Sequence, residues 1–466
     1  MRLTEAMLVR KSCGALAAAI ITALLTLSIL PAEAGFMFHE QNRRDVGGVL
    51  IDAEGVLHAL EPSKELLNDV VEARRKALEP IADQLKAEAP MRKISLKQLF
   101  ADVKRHQETS IEELPQELLY LGGLQRVQYV FVYPDDNDIV IAGPAEGWVV
   151  NDRAETVGET TGLPVLHLED LIVAMRSAFA PQPQPISCSI DPRPEGIQKL
   201  RAFLAEKAKQ RDGLGPNPEK TLLEIEELLG PQIISVEGVS DTCRFARVLV
   251  GADYQMKRIA MGLQESPVRG LSSYLNMVRS PRNSQMMPRW WLAPKYDAIA
   301  VSEDGLAFEL RGPGVQAMTE DELVTAEGER TATGKANPVA KNWADTFTEK
   351  YPELCKEDAT FGMLRNCMDL AVIAAIMRKH NLAEIAQFDM EYILEGDKLL
   401  LTAYNPPRTV PTQASAVKRG RNWIVSASGG VDVNPWPIVE KDVKVSELSK
   451  TRDDAIPPAG AGWIWN

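Results

Sequence analysis

The chain has 466 residues, 45% of them hydrophobic and 25% charged, with a formal net charge of -13. That hydrophobic share is enough for a globular core and excludes a disordered tail. The acidic balance argues against a nucleic-acid partner, whose binders are basic, and five cysteines are too few for a small disulfide scaffold.

In chain order, residues 1–34 read as a secretory signal peptide. Arg2, Arg10 and Lys11 give a positive start, residues 14–30 one apolar run, and Ala32-Glu33-Ala34 a small-x-small cleavage pattern. The run is short for a membrane span, which needs about 20 residues. The expectation is an exported chain, periplasmic or extracellular, with no stable membrane span after cleavage; a retained anchor is the rival reading. Cys13 leaves with the signal, so Cys188, Cys243, Cys355 and Cys367 remain. In an oxidising compartment an even count suggests disulfides. Cys188–Cys243 and Cys355–Cys367 are the pairs expected, with four buried free thiols as the alternative.

Residues 46–60 read as a hairpin turning at Asp52-Ala53-Glu54-Gly55. A helical stretch follows over 63–105. Strands are expected at 125–133 and 138–143, then at Trp148–Val150, and a helix from Leu168 to Phe179 closes an N-terminal α/β module, 35–180. Alternating prolines make 181–185 a stiff connector. A central α+β module, 186–324, is expected to carry a strand at 186–190 and helices at 195–211 and 217–229. Strands QIISVEGV and RFARVLVG, short helices near 253–262 and 271–279, and a hairpin at 296–312 complete it. Residues 325–337 lack apolar period and read as an exposed linker. The C-terminal α+β module, 338–466, opens with helices 339–354 and 361–380 and continues with strands near 391–403 and 422–428. The fold class expected is α+β (mixed α/β), in two or three modules whose small mixed or antiparallel sheets are packed by helices.

The stretches YVFVYPDDNDIVIAGPAEGW, TGLPVLHLEDLIVAMR, GADYQMKRIAMGLQESPVRGLSSYL and SEDGLAFELRGPGVQAMTED, with FGMLRNCMDLAVIAAI, span roughly residues 120–380. They resemble an uncharacterised exported bacterial family, domain of unknown function 1598. The resemblance implies export and a shared fold, and it carries no catalytic residue.

No complete catalytic or cofactor motif is present. Gly158-Glu159-Thr160-Thr161-Gly162 has the glycine spacing of a nucleophile elbow but no Ser, and a strand rather than a helix after it. It reads as a turn. Five residues separate the glycines ahead of Lys335, where a phosphate loop needs four. The five histidines are scattered, and Asp135, Asp136 and Asp138 lack the oxygen side chain a calcium loop needs at its fifth position. Neither a metal nor a cofactor is expected. Glu146, between glycines and Trp148, is the least ordinary carboxylate and the one weak catalytic candidate.

Charge supplies the clearest asymmetry. Residues 257–296 hold seven basic side chains against Glu265 alone. Arg258, Arg269, Arg279, Arg282, Arg289, Trp290 and Trp291 are therefore the candidate anion- or polymer-binding set, since Arg pairs with oxyanions and Trp offers a stacking face. The competing reading puts the arginines in internal ion pairs and the two Trp rings on opposite faces of one strand. Trp343, Phe347 and Tyr351 repeat on one helix face as core. Arg365 and Asp369 read as an ion pair one turn apart. The function expected is a non-enzymatic exported binding or structural protein of the cell envelope, whose partner is an envelope polymer or protein. The alternative is an exported hydrolase acting on cell-wall glycan or peptide.

Overall fold

The computed structural model describes residues 49–466, apart from 60–63, 79–80, 107–110, 211–214, 279–285, 326–329, 397–398, 420–421, 426–428, 459 and 461. The expected signal, Arg279 and Arg282 lie outside the described residues.

With 42% helix and 23% strand the chain is of the mixed α+β class. The first hairpin forms as expected: β1 (Val49–Ile51) runs antiparallel to β2 (Leu57–Ala59), and the Asp52 carboxylate fastens the turn by accepting the backbone N–H groups of Glu54 and Val56. The helix α1 (Lys64–Ala77) follows. The strand β3 (Ala89–Ser95) leads into the helix α2 (Leu96–Arg105), which Ser95 caps by accepting from the Gln98 N–H. Next come β4 (Tyr129–Tyr133), β5 (Asp138–Ala145), β6 (Trp148–Val150), β7 (Thr156–Gly158) and α3 (Leu168–Ala178). The Asp-rich turn between β4 and β5 ends on Asn137 at φ +52°, and Asp138 then accepts from the Ser95 hydroxyl at 2.5 Å.

Beyond the connector, β8 (Ile186–Asp191), α4 (Pro194–Gln210), α5 (Pro218–Leu229) and β9 (Gln232–Glu237) appear where expected. RFARVLVG does not form the expected strand. It opens α6 (Arg244–Met261), which Cys243 caps and the left-handed Gly262 ends. Every residue of α6 is buried, including Arg244, Arg247, Gln255 and Arg258, which recur at helical spacing, so the helix has no wet face. The short helix α7 (Tyr274–Met277), β10 (Met286–Lys295), β11 (Ile299–Val301), β12 (Ala307–Glu309) and β13 (Gly314–Val324) follow. Inside the stretch expected to be a linker lies β14 (Arg330–Ala332), paired with β13.

The helices α8 (Pro338–Glu357) and α9 (Ala359–Lys379) match expectation. α9 is long and apolar enough to cross a membrane, yet its most apolar stretch is wholly buried inside the protein. The strand expected near 391–403 is instead one turn of helix, Glu391–Leu394. The last elements used below are β15 (Thr409–Val410), β16 (Ala416–Arg419), β17 (Asn422–Val425), β18 (Gly429–Val433), β19 (Asp442–Lys444), α10 (Glu447–Asp453) and β20 (Ile464–Trp465).

Two seven-stranded mixed sheets organise the fold. The first has the order β14-β13-β10-β18-β8-β9-β15, and the second β19-β11-β12-β4-β5-β3-β20. The second sheet thus draws strands from all three stretches separated in the sequence analysis, and β18 of the C-terminal stretch sits between β10 and β8 of the central one. Strand pairing, which a linear reading does not see, ties the stretches together. One large core lies against both sheets and is filled by α3, α6, α8 and α9. The stripe Trp343, Phe347 and Tyr351 is fully buried in it. The second sheet is covered on its other side too: Phe131, Val140, Ala142 and Ala300 pack with Leu448 of α10.

Candidate functional site

The first sheet is covered differently. Side chains alternate between faces along each strand. Trp290, Leu292, Val431, Val433, Cys188 and Ile190 turn inward and are buried. The intervening residues form an open face with a readable register. Met318 pairs with Trp291, Trp291 with Gly430, Gly430 with Ser189, and Ser189 with Ser235. This row crosses five strands and spans about 19 Å at the usual strand spacing. Trp291 is partly exposed, Met318 is 37% exposed, Ser189 is partly exposed and Ser235 is open to solvent. Gly430 between them is buried: a Cβ there would meet the Cys188 carbonyl oxygen at 2.8 Å and lie 3.8 Å from Arg289 Nη2, so the Arg289 guanidinium covers this point of the row. The row is therefore a partly exposed indole and two hydroxyls, with the Arg289 guanidinium lying over Gly430 between them.

Charges border the row. Arg289 lies 5.8 Å over the Trp291 ring and 3.6 Å from the Glu322 carboxylate. Arg330 reaches Glu322 at 3.3 Å and also pairs with Asp191. Burial would raise the Asp191 pKa, but Arg330 outweighs it and holds the carboxyl below its usual range. By register the same face carries Asp191, Glu237, Glu320, Glu322 and Asp432 against Arg289, Lys295 and Arg330. The face is net acidic. Behind it, Lys257 is 3.0 Å from Asp253, and burial pushes the Asp253 carboxyl up to about 6.

The set expected from the basic stretch is brought together only in part. Arg289 and Trp291 belong to the open face. Trp290 is 1% exposed and lies edge-on between Tyr274 and Trp343, at 4.8 and 5.4 Å. Arg258 is buried and donates to Gln413 at 2.9 Å. Arg269 is exposed on the loop after α6. The basic side chains thus do not form a common surface among the described residues. Period two on β10 separates the two Trp rings, and α6 carries Arg258 into the core.

Glu146 is buried, and its carboxylate is fully engaged. It accepts from Gln125 Nε2 at 2.7 Å, from the Thr161 hydroxyl at 2.5 Å, and from the Thr160 and Thr161 N–H groups at 3.0 Å each. Burial would raise its pKa, but these bonds win and hold it below the usual value. Glu146 fastens the Gly158–Gly162 turn, and a Cβ on Gly158 would meet its Oε1 at 2.1 Å. Neighbouring Trp148 is core and donates to Gln116 Oε1 at 3.2 Å.

The expected disulfides are absent. All four described cysteines are free and buried. Cys188 lies beside Asp253, whereas Cys243 caps the start of α6. Ten helical residues separate those two levels, about 15 Å, and a disulfide needs Cα atoms within about 7 Å. Cys367 neighbours Asp170 and Arg244, while Cys355 neighbours Arg365 and Arg126. Two residues along a helix point to nearly opposite sides, so Cys367 faces away from Cys355. Burial pushes the Cys243 and Cys355 thiols up to about 12 and about 11; they are unreactive side chains of the core.

Arg365 and Asp369 are not each other's partners. Asp369 receives Nε and Nη2 of Arg126, both at 2.9 Å, and the Tyr296 hydroxyl at 2.6 Å. Arg126 lies more than 200 residues away in the chain, and no sequence spacing pointed to it.

Residues 188–274 match a family model described as a protein of unknown function (DUF1598). The match covers under a fifth of the chain, from β8 through α6, and includes the strands that carry Ser189 and Ser235. It bears out the expected resemblance. No curated protein matches the chain. No solved structure matches it.

Proposed function

We propose that this chain is an exported, non-enzymatic binding protein of the cell envelope, and that it holds its ligand on the open face of the first sheet. The observation that carries the reading is the row Met318, Trp291, Gly430, Ser189 and Ser235: a partly exposed ring and hydroxyl donors on rigid strands, with the Arg289 guanidinium between them. A Trp ring gives apolar contact to the CH face of a sugar, and hydroxyls orient its polar rim. The acidic border disfavours an anionic polymer, so an uncharged glycan portion of the envelope is the partner that fits. The test is co-sedimentation of the purified protein with isolated envelope at low and high salt, followed by analysis of released fragments. Pelleting that survives high salt and releases nothing is the expected result. Released glycan or peptide fragments would turn the reading to the hydrolase, and a protein that stays in the supernatant would refute the envelope partner.

A further inference from the structure

α9 ends on a histidine whose ring lies partly inside the protein. His380 caps the C-terminus of the helix. Its imidazole packs on the Phe308 ring of β12, with 4.8 Å between ring centres. Its Nε2 atom is buried and meets no hydrogen-bond partner among the described residues. A neutral imidazole tolerates this, because one of its nitrogens carries no proton, whereas the charged ring carries a proton on both. Protonation therefore puts a donor and a charge where no described residue accepts them, and that costs free energy. The segment beside the ring is held lightly. It runs from one turn of helix (Trp436–Val439) into β19, whose three residues are all exposed at the edge of the second sheet. β19 joins β11 in parallel, with the Ile299 N–H donating to the Lys441 carbonyl and the Val445 N–H to the Val301 carbonyl, both at 2.8 Å. Lys379, next to His380, donates to the Val439 carbonyl. The charged groups around the ring are Lys379 on its own helix and Glu440, Asp442 and Lys444 on the adjoining segment, two of each sign. Arg378 is turned to the Phe179 carbonyl. The C-terminal end of a helix favours a cation. Burial outweighs it, helped by Lys379, and holds the His380 pKa below its ordinary value.

We propose that His380 is an acid-sensitive latch: protonation of its ring loosens residues 436–444 and frees β19 from β11. Release bares the outer edge of β11, a row of backbone groups open to another strand. The closed state takes up the proton less readily than the open one. Its stabilisation is therefore fully present above the ordinary histidine value, about 6.5, and is lost as pH falls from there through the lowered one. Native-state hydrogen exchange of the full chain, expressed as protection factors so that the intrinsic pH dependence of exchange drops out, reads the latch. Between about pH 7.5 and about pH 5, on either side of the ordinary value, the Ile299 and Val445 amides are expected to lose protection severalfold. The amides of β8 and β9 in the first sheet are expected to keep theirs. In His380→Gln, which stays neutral, the loss at Ile299 and Val445 is expected to vanish. No loss in the wild type, or the same loss in His380→Gln, would overturn the latch. Equal loss in β8 and β9 would also overturn it, since acid would then loosen the whole fold. Titration of the His380 ring in the wild type, followed by its NMR signals, gives a check that needs no variant: a midpoint below the ordinary histidine value is expected, and one at or above it would overturn the proposal.

Discussion

Glu146 shows how a residue that stands out in sequence becomes a fastener in the fold. Gly143, Gly147 and Trp148 around it suggest a sugar platform, but the glycines serve close approach. Gly147 packs against the Lys86 backbone, and Gly158 against the Glu146 carboxylate itself. Glu146→Gln is expected to lower stability by about 1–3 kcal/mol near neutral pH, the cost of buried donors left unmet, as read by urea unfolding. The native carboxyl sits below its ordinary pKa. Its contribution is therefore present above the normal carboxylate range and lost as pH falls through the lowered value. Glu155 behaves oppositely. Burial, with help from Asp358, pushes it up to about 7 although Asn151 donates to it at 2.9 Å. The native state holds its proton after the unfolded chain has released it, so stability from this group is present at low pH and lost as pH rises through 7. Glu155→Gln is expected to unfold about 1–2 kcal/mol later than wild type at pH 8 and to match it near pH 4. An equal shift at both pH values would contradict the burial cause.

At the scale of elements, legibility followed exposure. Helices with one wet face, α4 and α5, and strands bounded by turns, β1, β2, β4 and β5, were placed from their periods. α6 was placed only in its second half, the helix expected near 253–262: its apolar and β-branched opening, Phe245, Val248, Leu249 and Val250, reads as strand. The same burial separates the cysteines. Pairing within a module is a rule of proximity in sequence, whereas α9 carries Cys367 away from Cys355. Titration with a thiol reagent, without reductant, is expected to find Cys188, Cys243, Cys355 and Cys367 silent in the native protein and all four reactive in denaturant. Two sites that stay silent in denaturant would restore a disulfide. Gly362 illustrates the packing of α9: a Cβ there would lie 2.5 Å from Pro164 Cδ and 3.0 Å from the Cys355 carbonyl. Gly362→Val is expected to destabilise by several kcal/mol through overpacking.

At the scale of the molecule, the sheets hold information that no local pattern contains. The row that forms the candidate face comes from β13, β10, β18, β8 and β9, separated by up to about 240 residues of chain, and only the pairing register brings Trp291, Gly430, Ser189 and Ser235 into line. The sequence pointed to Trp291 and Arg289 through a charge asymmetry, and it missed the serines and Gly430 because such residues carry no signal alone. The adjacent tryptophans separate the two roles of the sheet. Trp290→Ala is expected to cost about 3–5 kcal/mol of stability, the usual penalty for truncating a buried aromatic ring. Trp291→Ala is expected to leave stability nearly unchanged. The decisive measurement is the fraction of protein that pellets with isolated envelope, compared between wild type and Trp291→Ala at high salt. The open-face assignment predicts that wild type pellets and that Trp291→Ala, folded and as stable, stays in the supernatant. Equal pelleting of the two proteins would contradict it and place the binding surface elsewhere on the molecule.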